Sequence, residues 1–129
     1  MNSMNPENYS PAAWAYVGDA YYELAMRLLT LQDGPKKMSV LHKETARFVR
    51  ASFQALASHS IENMLSEEER EILRRGRNTK SGHIPKSASP TEYRLSTGVE
   101  GLIGYLYLTG REERAIEILK AMRGCKEEE

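Results

Sequence analysis

The stretch that decides the fold runs from Ser89 to Gly110, SPTEYRLSTGVEGLIGYLYLTG. It opens with a helix-start signal: Ser89 as N-cap, Pro90 at the first helical position and Glu92 closing a capping box. Leu95, Val99, Leu102, Ile103 and Leu106 then recur at helical spacing and form one apolar stripe. Glu100 lies beside that stripe, on the strip carrying Tyr93, Ser96, Thr97, Gly104 and Tyr107. Gly98, Gly101 and Gly104 surround it, and each glycine in a helix interior is about 1 kcal/mol less favourable than alanine. Their grouping predicts close approach of another backbone, or of a ligand, beside Glu100. This helix is expected to be central, with Glu100 as its functional residue.

Working outward, Ser10-Pro11 repeats the N-cap signal and predicts a helix to about Thr30. Its expected core stripe is Ala13, Val17, Ala20, Tyr21, Leu24 and Leu28, with Ala12, Ala15, Tyr16, Asp19, Glu23 and Met26 opposite. Asp33-Gly34-Pro35 breaks the chain. Ser39 is placed to cap one helix from Val40 to about His59, and a short helical turn is expected around Ile61–Leu65. Ser66 with Glu69 is another capping box, opening a helix expected to stop at Gly76. Residues 77–88 read as loop. A last amphipathic helix is expected from Arg111 to Arg123, with Ala115, Ile118, Leu119 and Met122 inward. No stretch alternates with period two, so the fold is predicted to be all-α with about six helices. The 129 residues suit one domain, 1–129, with a flexible 1–9 and a charged tail at 124–129.

The 18 basic residues balance the 18 acidic ones, so bulk charge argues neither for nor against a polyanionic partner. The single Cys125 excludes an internal disulfide and a cysteine-based zinc site, and a reduced, cytoplasmic setting is expected. The charge is unevenly spread. Arg70, Arg74, Arg75, Arg77, Lys80 and Lys86 face only Glu71 between 70 and 86, and Lys36, Lys37, Lys43, Arg47 and Arg50 face only Glu44.

Asp19 is the second unusual residue. Asp and Gly18 are both poor mid-helix residues, and Glu23 follows one turn later as a like charge. A bound cation or a basic neighbour would account for them. If the two helices pack side by side, Asp19 and Glu100 face one gap. Two carboxylates with phosphate oxygens and water suit Mg²⁺. The plainer alternative is that both are solvated, with Glu100 paired to Arg94 or Arg111.

Three segments in order resemble Mini-ribonuclease III, the RNase III-type protein reduced to its catalytic domain. They are Trp14–Glu23 (WAYVGDAYYE), Arg74–Gly82 (RRGRNTKSG) and Tyr93–Arg114 (YRLSTGVEGLIGYLYLTGREER). The likeness runs from about Ser10 to Met122. It implies an RNase III-like helical domain and a homodimeric endonuclease that cuts double-stranded RNA with Mg²⁺, Mn²⁺ being a substitute. The implied task is processing of 23S precursor ribosomal RNA, leaving 5′-phosphate and 3′-hydroxyl ends. Asp19 matches the essential aspartate and Glu100 the metal-binding glutamate. Where full-length RNase III reads Glu-x-x-Glu-x-x-Gly-Asp, this chain has Ala12, Ala15, Gly18 and Asp19. Where it reads Asp-x-x-Glu, this chain has Thr97 and Glu100. The number of metal ions, the role of Glu23, the cleavage site and any ribosomal-protein helper stay open, and no separate double-stranded-RNA-binding domain is expected after the sixth helical segment.

Given the resemblance, Arg75, Arg77, Asn78, Lys80, Ser81 and Lys86 are expected to contact RNA. Tyr16, Tyr22 and Met26 are expected at the dimer interface. Two other readings remain at this point: a non-catalytic RNA-binding or ribosome-assembly module with the same fold, and a helical protein adaptor. Both carboxylates favour the enzyme, and the basic loop disfavours the adaptor.

Overall fold

The computed structural model of the chain describes residues 4–79, 84, 86 and 88–126. Among these there are six α-helices and no strand: α1 Pro11–Gln32, α2 Met38–Val49, α3 Ala51–Ser60, α4 Glu67–Arg77, α5 Pro90–Leu108 and α6 Glu112–Arg123. The predicted starts of three helices are built as their sequences require. Ser10 Oγ accepts from the Ala13 N–H, and Ser66/Glu69 and Ser89/Glu92 form complete capping boxes. Each satisfies backbone donors that a helix start leaves unpaired. The expected turn near residue 61 is a 3-10 turn, Glu62–Met64.

Helix α5 lies at the centre, with α1, α3, α4 and α6 all packed on it. From Ser96 to Gly104 every residue of α5 is buried except Glu100, which is half-buried. Trp14, Phe53, Leu102, Ile103, Ile118 and Leu119 are among the side chains that fill the core. Burying a large apolar side chain contributes roughly 1.5–3 kcal/mol, so this sequestered middle of α5 anchors the fold.

Three expectations need correction. The buried face of α1 is Trp14, Ala15, Gly18, Tyr22, Ala25, Met26 and Leu29, whereas Ala20, Leu24 and Leu28 are exposed. The backbone-to-backbone contact that Gly18 makes with α5 decides which face turns inward, and it outweighs the aliphatic stripe. Second, the helix expected over 40–59 with Ser39 as its cap starts at Met38, with Lys37 at the N-cap and Ser39 inside the helix. It is broken at Arg50, whose backbone is extended (φ −70°, ψ 150°). The break leaves carbonyls at the end of α2 that side chains occupy: Tyr22 Oη donates to Phe48 O at 2.6 Å and Gln54 Nε2 to Val49 O at 2.9 Å. Third, Gly76 does not end α4 but lies inside it, buried, where a Cβ would stand 3.1 Å from Gly98 Cα of α5.

The start of the described chain is tied down. Pro6–Asn8 forms a 3-10 turn, Pro6 is buried, Trp14 Nε1 donates to Pro6 O at 2.8 Å, and the Met4 N–H donates to Leu108 O at 2.9 Å. At the other end of α1, Arg123 Nη2 of α6 donates to Asp33 at 2.8 Å. Among the described residues no helix is long and apolar enough to cross a membrane.

Candidate active site

The site is made by one helix crossing. A Cβ added to Gly18 would lie 1.7 Å from the Glu100 carbonyl oxygen, and one added to Gly104 would lie 1.9 Å from the Trp14 carbonyl oxygen. Only residues without a side chain allow helices to meet so closely. The crossing places Asp19, next to Gly18, against Glu100, so α1 and α5 bring both predicted carboxylates to one place. Asp19 is exposed and Glu100 half-buried, so the pair spans the boundary between solvent and core. Burial, then the charge and hydrogen bonding of Asp19, push the Glu100 carboxyl up to about 8, against an opposing hydrogen bond from Gln54. Two close carboxylates in a partly desolvated place cannot both carry full charge without a compensating proton or cation.

Gln54 and Tyr22 complete the surroundings. Gln54 Nε2 lies 3.3 Å from Glu100 Oε2. Burial, and secondarily Glu100, raise the Tyr22 hydroxyl above its ordinary value, and that hydroxyl is held on Phe48 O. Sequence reading missed Gln54. Its one signal was a polar residue set among Phe53, Ala55 and Ala57, all buried.

Glu23 pairs with Arg27 at 2.9 Å, which relieves the like-charge spacing with Asp19. Glu100 takes neither of the arginines offered as its plain partners: Arg111 bonds Glu68 at 2.8 Å, and Arg94 is exposed. Thr97, standing where the larger family has an aspartate, is buried and donates its hydroxyl to Tyr93 O at 2.9 Å. Among the described residues no group of three or more His, Cys, Asp or Glu is arranged to hold a metal ion; the candidate oxygen donors here are the two carboxylates of Asp19 and Glu100.

The predicted RNA-contacting residues fall in different settings. Arg75 is half-buried, stacked over the Trp14 ring at 4.8 Å and 3.4 Å from Glu7, which gives it work inside the protomer. Arg77, Asn78 and Lys86 are exposed. Lys80 and Ser81 lie outside the described residues. Arg77 and Asn78 line a cleft of about 580 Å³ with Thr79, Ile84, Tyr93, Arg94 and Thr97. That cleft reaches the turn of α5 just before Glu100. Tyr22 and Met26, expected at a dimer interface, are buried in the protomer, whereas Tyr16 is 82% exposed.

The sequence matches the Ribonuclease III domain over residues 12–111. It is 45% identical to the Mini-ribonuclease 3 of Symbiobacterium thermophilum over 94% of this chain and 93% of that one. It is likewise 45% identical to the Mini-ribonuclease 3 of a Thermoanaerobacter species, over 86% of this chain and 78% of the relative. A crystal structure of a Fusobacterium nucleatum protein superposes with a TM-score of 0.76 at 36% identity, covering 87% of this chain and 89% of that one. The helical order, the crossing that joins Asp19 to Glu100 and these likenesses agree: the chain belongs to the ribonuclease III family, among the Mini-ribonuclease 3 proteins, and is an endoribonuclease.

Proposed function

We propose that this chain is a Mg²⁺-dependent endoribonuclease specific for double-stranded RNA, working as a homodimer in the cytoplasm on 23S precursor ribosomal RNA. It leaves 5′-phosphate and 3′-hydroxyl ends, and Mn²⁺ substitutes for Mg²⁺. The observation that carries this reading is the meeting of Asp19 and Glu100 across the α1–α5 crossing. The residues fit a hard divalent cation. Both donors are carboxylate oxygens, one reachable from solvent, and the pair's excess negative charge is what such an ion neutralises. Asp19 and Glu100 would hold it, leaving remaining positions to water and phosphate. When bound, such an ion supplies charge neutralisation at a phosphodiester and activation of water.

The chain's own residues supply the rest. The rigid crossing fixes the spacing of the two carboxylates, and Tyr22 and Gln54 close the buried side of Glu100. Arg77 and Asn78 edge a cleft that is also lined by Thr97, three residues before Glu100 on α5, and Lys86 stands exposed on the same connection. A-form RNA presents phosphates and 2′-hydroxyls beside a shallow minor groove, and side chains of this kind read backbone shape rather than bases. Two copies related by two-fold symmetry would place one carboxylate pair against each strand.

The test is incubation of the pure protein with a duplex carrying the 23S precursor stem, with and without Mg²⁺, followed by mapping of the ends. Asp19→Asn and Glu100→Gln should each lower cleavage at least about a hundredfold, the scale of losing one charge-stabilising group. The helical circular dichroism spectrum and duplex binding should persist. Cleavage surviving both substitutions overturns the site, and binding without cleavage in Mg²⁺ or Mn²⁺ would make the protein an RNA-binding module.

A further inference from the structure

Gln54 is 2% exposed, in the first turn of α3, and its amide reaches two other elements. Nε2 lies 2.9 Å from Val49 O at the end of α2 and 3.3 Å from Glu100 Oε2 on α5. The Val49 carbonyl is an acceptor only, so the amide must present its nitrogen there, and that same nitrogen lies toward Glu100. That orientation leaves Oε1 buried with no donor among the described residues. A buried acceptor without a donor is unfavourable. Methionine, similar in length and apolar, would suit neighbours such as Phe53 and Ala57 without that penalty. Capping α2 explains the bond to Val49 but not the second bond, which reaches Glu100.

We infer that Gln54 is a positioning residue: anchored on the Val49 carbonyl, its amide holds the Glu100 carboxylate in the orientation that faces Asp19. The anchor is firm, because Tyr22 Oη fixes the adjacent Phe48 carbonyl at 2.6 Å. A glutamate side chain has several rotatable bonds, and one left unheld at a helix face samples orientations in which the pair is not formed. Resting on the divalent-cation reading above, the consequence is that Gln54 sets the affinity of the pair for the ion, as groups bonded to metal ligands do.

The test uses the full chain and Mn²⁺ as the probe, with binding read from the electron paramagnetic resonance signal of the free ion. Gln54→Met should weaken Mn²⁺ binding about tenfold, the lower end of such effects. Introduced into Glu100→Gln, the same substitution should change the affinity no further, because the group it acts through is gone. Unaltered binding in Gln54→Met, or equal weakening in both backgrounds, overturns the proposal and leaves Gln54 a cap for α2. Should Gln54→Met fail to fold, a chain that keeps Gln54 still decides. The Gln54 side-chain amide resonances should move on Glu100→Ala, and resonances that stay in place overturn the proposal. A native chain that binds no Mn²⁺ removes the cation reading alone, since movement of those resonances would still report Gln54 holding Glu100.

Discussion

Gly18 sits against the backbone of Glu100 so closely that a Cβ at position 18 would stand 1.7 Å from the Glu100 carbonyl oxygen. Fold and site therefore share one contact. Alanine favours a helix by about 1 kcal/mol over glycine, yet here the methyl group meets backbone that cannot yield. Overpacking of this kind costs about 1–3 kcal/mol, and the geometry places Gly18→Ala and Gly104→Ala at the upper end. Gly101→Ala meets Gly76 Cα at 3.5 Å and Pro11 O at 3.9 Å, both ordinary van der Waals contacts, and should be neutral or mildly stabilising. Urea unfolding of the three variants gives the ranking, and Gly18→Ala should lose cleavage as its two carboxylates separate.

Acid stability should depend on Glu69. This residue is buried, accepts from Arg114 Nε and Nη2 at 2.8 Å each, and closes the α4 capping box. The Arg114 guanidinium holds its carboxyl below the ordinary value of 4.5, against the effect of burial. The native state thus releases this proton more readily than the unfolded chain. The stabilisation is fully present above pH 4.5 and lost as pH falls through the lower folded value. Glu69→Gln should cost about 2 kcal/mol near neutral pH, short of the usual penalty for breaking a buried pair. Arg114 still has Met64 O and Glu117 as partners. The variant's stability should also fall less steeply as pH drops below 4.5 in thermal melts.

The outward face of α1 should carry the dimer contact. Tyr16, Leu24, Leu28 and Leu31 are 82%, 53%, 49% and 56% exposed, an apolar row that one protomer leaves in water. A second copy related by a two-fold axis would cover it with the same row. The native chain should show twice the monomer mass in light scattering, and Leu24→Glu with Leu28→Glu should reduce it to one. An unchanged mass would place the interface on another face.

Duplex binding should follow the connection between α4 and α5. Replacing Arg77, Lys80 and Lys86 together by alanine should weaken binding and flatten its salt dependence. The log–log slope should fall by about 0.9 for each phosphate that is no longer neutralised, taking the duplex DNA value. Single-turnover cleavage at saturating RNA should change much less, because Asp19 and Glu100 remain. Arg75→Ala should act differently: it uncovers Trp14 and frees Glu7, so its effect should appear first in stability.

What the sequence made legible follows from the range of the forces involved. Helix starts at Ser10, Ser66 and Ser89 are local hydrogen-bond chemistry, and they formed as read. The glycines around Glu100 announced close packing, and α5 is central. The inner face of α1 was misjudged because Leu24 and Leu28 look like core residues. Gly18 held the better clue, since the tightest contact, not the greasiest stripe, sets a helix's rotation. The break at Arg50 had no proline or glycine to mark it, and Tyr22 and Gln54 sustain it from other helices. That non-local support also hid Gln54 as a neighbour of Glu100.

The burial of Ser96–Gly104 has a consequence for how the protein fails. Many enzymes carry their reactive groups on loops that open long before the body of the molecule melts. Here one carboxylate stands in the buried middle of α5, and the other is held to it by backbone contact. Amide hydrogens through Val99–Ile103 should exchange with solvent only when the whole molecule unfolds. Loss of cleavage and loss of helix should then trace a single urea curve, with no folded but idle form between them.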